Sequence, residues 1–132
     1  MNIICLLQGA GPFEAGIRRC LGAALDGVTV EYCDDLVCLL GRLRKKACYS
    51  DTVVLVETDA KTLGELVKQK ELFSDVSLVL LVPDENKSTL AQGHLLRPRF
   101  ITSSGGDPCL LKEILQNVLR RQRLENQIEA LR

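Results

Sequence analysis

The run "VSLVLLV", Val76 to Val82, most constrains what this chain can fold into. Six of its seven residues are apolar, and "PDEN" stops it. A strand with one wet face alternates apolar and polar residues. A strand apolar at almost every position is covered on both faces, as strands are in a parallel sheet. Parallel neighbours cannot be joined by a tight turn and need a long crossover, usually a helix. The run therefore predicts helices before and after it, and strands beyond those helices.

The rest of the chain follows that pattern. "NIICLL", Asn2 to Leu7, predicts a first strand, closed by "QGAGP". A helix is expected from about Phe13 to Leu25, with Ile17, Leu21 and Ala24 on one face. "VTVEYC" predicts strand two, and Asp34 the N-cap of a helix over "DLVCLLGRLRKKA". "TVVLV" is strand three and "KTLGELVKQKELF" the helix after it, with Leu63, Leu66, Val67 and Lys70 at helical spacing. "KSTLAQGHLL" reads as a weaker helix, and "PRFIT" as strand five. "SSGGDP" leads into a last helix, with Asp107 as N-cap and Pro108 at its first position. Strict alternation with short loops and right-handed crossovers gives an α/β fold: a five-stranded, doubly wound parallel sheet in three αβα layers.

Composition narrows the function classes. The chain of 132 residues carries 17 basic and 17 acidic residues, so no net charge draws it to nucleic acid or anionic lipid. Its six cysteines, Cys5, Cys20, Cys33, Cys38, Cys48 and Cys109, form no CxxC pair, and there is one histidine, so a metal site is not expected. They read as reduced thiols of a cytoplasmic protein. The start has no basic stretch followed by an apolar signal region, and no apolar run approaches the roughly 20 residues that span a bilayer.

This order and spacing of elements resembles the receiver domain of bacterial two-component response regulators, with its CheY-like, flavodoxin-like fold. The resemblance covers about residues 2 to 120 and rests on architecture and strand texture. It implies a phosphotransfer constellation: an acid pair after strand one for magnesium, an aspartate ending strand three, a hydroxyl after strand four and a lysine after strand five. These groups stabilise charge on a transferring phosphoryl group. Here Leu7 and Gln8 stand at the acid-pair positions and Glu57 at the phosphoacceptor, or Val56 with a one-residue shift. Val82, with Pro83, stands at the hydroxyl position and Ser103 near the lysine. The resemblance therefore implies a degenerate receiver that keeps the fold without the reaction. Glu57 either supplies fixed negative charge where a phosphoryl group would lie, or belongs with Asp59 to a solvated loop and N-cap.

Other motifs are weaker. "GAGPFEAG", Gly9 to Gly16, faintly suggests a dinucleotide loop, but Glu14 stands where the third glycine belongs and would repel a pyrophosphate. His94 with Arg97 and Arg99 is either an anion-binding cluster or a solvated face. "RLRKK", Arg42 to Lys46, suits a helix C-terminus.

In the last segment Leu110, Leu111, Ile114, Leu115 and Val118 form a broad stripe, as on a helix docked to a sheet. Beyond Arg120 only Leu124, Ile128 and Leu131 continue, in a heptad-like seam through Asn117 and Arg121. Residues 1–120 are thus expected to be the domain and 121–132 a helical extension that serves as a coiled-coil linker or dimer contact. The seam still runs at Arg132, which suggests a longer protein or a projecting helix. The expected function is a non-catalytic signalling or interaction module with no cofactor. Its partners would be proteins: a second copy, an output domain or a signalling partner. Two alternatives stand beside it. One is an atypical phosphorylatable receiver using Glu57 or Asp59. The other is a small nucleotide-binding domain using the Gln8–Pro12 and Ser103–Gly106 loops.

Overall fold

The computed structural model describes residues 2–7, 11–24, 29–45, 52–74, 76–103, 111–118, 120, 121 and 124. In chain order the elements are β1 (Asn2–Leu6), α1 (Pro12–Ala24), β2 (Thr29–Cys33), α2 (Leu36–Lys45) and β3 (Thr52–Glu57). Then follow α3 (Ala60–Lys68), a 3₁₀ turn (Lys70–Phe73), β4 (Ser77–Val82), α4 (Lys87–His94) and β5 (Phe100–Ser103). A fifth helix, α5, covers 111–118, and residues 120, 121 and 124 are also helical.

All five strands lie parallel in one sheet of order β2-β1-β3-β4-β5. This is the five-stranded, doubly wound parallel sheet expected from the sequence, and the structure adds the strand order. In β1, β3 and β4 successive side chains go to opposite faces. Ile4, Leu6, Val54, Val56, Leu78, Leu80 and Val82 join one core with Leu39, Leu63, Leu66 and Phe73. Ile3, Cys5, Val53, Leu55, Val79 and Leu81 join a second core with Ile17, Leu21, Leu111 and Leu115. Helices α2, α3 and α4 thus cover one face, and α1 and α5 the other.

Local chemistry moves several boundaries. Helix α1 starts at Pro12, where a missing N–H costs nothing. The residue that caps α2 is Asp35, not Asp34: its Oδ1 accepts the Cys38 N–H at 2.8 Å. The helix expected through Phe73 stops at Lys68, and Lys70 lies in the 3₁₀ turn. Strand β3 runs one residue further than expected and takes in Glu57, while β5 is displaced to Phe100–Ser103. Of the expected "SSGGDP" loop only Ser103 is described, at the end of β5; the expected cap Asp107 and the first-position Pro108 lie outside the described residues.

Candidate functional site at the carboxyl ends of the strands

In a parallel doubly wound sheet, ligands approach the carboxyl ends of the strands. The register shows what meets there. Leu6 pairs with Val56, so Leu7 follows at the level of Glu57. Glu57 pairs with Leu81, and the next residue, Val82, pairs with Ser103. The four receiver-like positions Leu7, Glu57, Val82 and Ser103 are therefore brought to one edge. Gln8 lies outside the described residues.

Their chemistry differs from what phosphotransfer needs. Leu7 and Val82 are apolar and buried. Ser103 points its hydroxyl toward Glu85, at a long 3.5 Å. A magnesium ion would need hard, charged oxygens at the level of Leu7, so the residues present do not fit the ion. Among the described residues no group of three or more His, Cys, Asp or Glu side chains is arranged to hold a metal.

Glu57 corrects the expectation of a solvated loop: it is the last residue of β3 and only 6% exposed. Thr58 follows it, equally buried, and donates both its N–H and its hydroxyl to the Leu81 carbonyl. Asp59 is exposed and caps α3, accepting the Thr62 N–H at 2.7 Å. That bond, before any other influence, holds its carboxyl below the usual range. These residues line an open cleft of about 640 Å³ with Glu14, Asp34 and Asp35. Five carboxylates surround it, and no described basic side chain does.

A solved structure shares this fold. It is a protein of Burkholderia pseudomallei K96243, provisionally described as pilus assembly-related, and it superposes with a TM-score of 0.67 over 91% of this chain and 90% of its own. The two sequences are 17% identical, so the likeness is one of fold. No protein-family model matches the chain, and no curated protein does.

At the opposite edge, where β4 and β5 begin, a second cleft of about 490 Å³ opens beside the 3₁₀ turn. It gathers the expected cluster His94, Arg97 and Arg99, and adds Lys70 and Glu71, which sequence reading had not linked to it. Arg42 of the "RLRKK" stretch instead pairs with Glu31 of β2. Between the β5 edge and α5 runs a third, smaller groove of about 220 Å³, lined by Arg99, Phe100, Ile114, Asn117, Val118 and Arg121. Leu111 and Leu115 are buried, as the broad stripe predicts, whereas Leu124 is 53% exposed. Ile128 and Leu131 lie outside the described residues. No described helix is long and apolar enough to cross a membrane.

Proposed function

We propose that this chain is a non-catalytic, receiver-like interaction module. It works through protein contacts on the side formed by β4, β5, α4 and α5, together with the helix that follows. The observation that carries this reading is the register: Leu7, Glu57, Val82 and Ser103 occupy one sheet edge without an acid pair, a hydroxyl aimed at the site or a lysine. Exposed Leu95 and Phe100, with the groove beside α5, supply apolar contact area on the proposed side. The free thiols of Cys5, Cys33 and Cys38 support a cytoplasmic setting, and a bacterial two-component-like relay is the signalling context. The pilus-assembly description of the structural neighbour names a setting in which to seek the partner first.

The alternatives have less support. Asp59 is committed to capping α3, which leaves Glu57 as acceptor with no metal-binding acids at Leu7. A nucleotide's phosphates would meet five carboxylates at the strand ends.

The test is incubation with Mg²⁺ and a small acyl-phosphate donor, read by intact mass. The wild-type chain should gain no phosphate. Glu57→Asp, which restores the side chain a receiver uses, should gain none either, because Leu7 and Gln8 supply no acid and Ser103 no lysine. Stoichiometric modification of either protein would overturn the reading.

A further inference from the structure

The parallel sheet gives the domain two chemically opposite ends. The strands run from the basic cleft to the acidic one, and six-residue β4 alone separates them by roughly 20 Å. At the amino end, Lys70 from the 3₁₀ turn, His94 from α4, and Arg97 and Arg99 from the α4–β5 connection converge on one cleft, with Glu71 the acid among them. Helix dipoles favour acids at helix starts and bases at helix ends, but Lys70, Arg97 and Arg99 all lie outside the α-helices.

Arg97 carries a second signal. Its φ is 51°, and it is the described non-glycine residue with a left-handed backbone. Glycine or asparagine would occupy that conformation at lower cost, and the following Pro98 restricts the backbone further. Backbones in sparsely populated regions persist only where the surrounding structure fixes them, and such residues cluster at functional sites. The turn is held by the Arg97 N–H on the His94 carbonyl and by the Arg99 N–H on the Leu78 carbonyl at 2.7 Å. A rigid turn thus presents a long cationic side chain at the mouth of the cleft.

We propose that this basic cleft docks the acidic end of a second copy of the chain, head to tail. Charge complementarity selects the occupant: the acidic end is a broader cleft whose described lining holds Glu14, Asp34 and Asp35 at its rim and no basic side chain. Long arginine and lysine side chains reach into an open depression without requiring the two backbones to interlock. The contact is heterologous: each copy keeps one free end, so assembly continues into short filaments or closes into rings. It adjoins the β5–α5 groove at Arg99, which lines both.

The experiment uses the full chain carrying Leu124→Ser and Ile128→Ser, so that tail contacts do not contribute. One further variant loses the basic end (Lys70→Gln with Arg97→Asn). Another loses the acidic end (Glu14→Gln with Asp34→Asn). Sedimentation velocity should show the parent associating with rising concentration, at least tenfold more weakly in about 500 mM than in about 50 mM salt. Each variant alone should associate at least tenfold more weakly than the parent. Their equimolar mixture should regain a one-to-one complex, since one supplies the acidic end and the other the basic end. A monomeric parent, a variant that keeps the parent's affinity, or a mixture that does not associate would each overturn the proposal.

Discussion

Thr58 donates twice to a single acceptor, the carbonyl of Leu81: its N–H at 2.8 Å and its hydroxyl at 3.1 Å. The residue lies just past Glu57, so the end of β3 is tied to β4 at the point where a receiver would do its chemistry. Thr58→Val keeps shape and the N–H bond but removes the hydroxyl bond. Urea unfolding should show a loss of about 0.5–1.5 kcal/mol. No change would mean that the hydroxyl bond contributes nothing net.

Asp59 should act as a cap that depends on pH. Its carboxyl is held below its ordinary value by the Thr62 N–H. The stabilisation is therefore complete above the unfolded carboxyl range and is lost as pH falls through the lowered folded value. Asp59→Ala should cost about 0.5–2 kcal/mol at neutral pH, and Asp59→Asn much less. The difference between wild type and Asp59→Ala should shrink below about pH 4. A difference constant down to pH 2 would contradict the capping role.

Two helical glycines should respond in opposite directions to alanine. Gly64 in α3 has open space where a Cβ would go, so Gly64→Ala should stabilise by about 0.4–1 kcal/mol. Gly93 in α4 packs against Ile101 and Leu80, and a Cβ there would fall well inside contact distance of Ile101 Cδ1. Gly93→Ala should destabilise by about 1–3 kcal/mol, less the helix gain. Adding Ile101→Val, which removes that Cδ1, should recover most of the loss in thermal melts.

The thiols of Cys5 and Cys33 should be nearly inert. Both are pushed up to about 12, chiefly by burial, to which a hydrogen bond with Cys38 adds in the case of Cys33. At such values the thiolate fraction near neutral pH is about a thousandfold below that of an ordinary thiol. A thiol reagent at pH 8 should modify half-buried Cys38 before either, and denaturation should release both. Rapid labelling of Cys5 in folded protein would overturn the packing around β1.

Leu124 sits on the helix beyond the docked part of α5, with much of its side chain in water. If the seam it shares with Ile128 and Leu131 binds a second helix, Leu124→Ser with Ile128→Ser should lower the sedimenting mass in low-affinity conditions, at roughly tens of micromolar. Equal masses and melting temperatures would make the seam incidental.

The sequence reveals much of this fold because strand texture is a local property. Val76–Val82 is apolar on both faces wherever it is placed, so β4 and its flanking crossovers are legible. Boundaries that depend on a partner are not. Asp34 and Asp35 are chemically identical neighbours, and only the backbone direction entering α2 selects Asp35 as the cap. Glu57 looks like a loop acid in sequence, yet pairing with Leu81 draws it into the sheet. Lys70 could not be joined to Arg97 by inspection, because β4 and α4 intervene and only the crossover returns the chain to the same edge.

The position of β1 also bears on the order in which the molecule assembles. Although first in sequence, β1 is interior: Asn2 lies opposite both Thr29 and Thr52. During synthesis β2 is available long before β3. Until β3 emerges, Ile3–Leu7 has one edge without its permanent neighbour, with apolar side chains above and below. Long-range parallel pairing is slow to form, and unpaired apolar strands are the species that aggregate. Of the five strands, β1 therefore waits longest for both neighbours, and errors in folding should begin there.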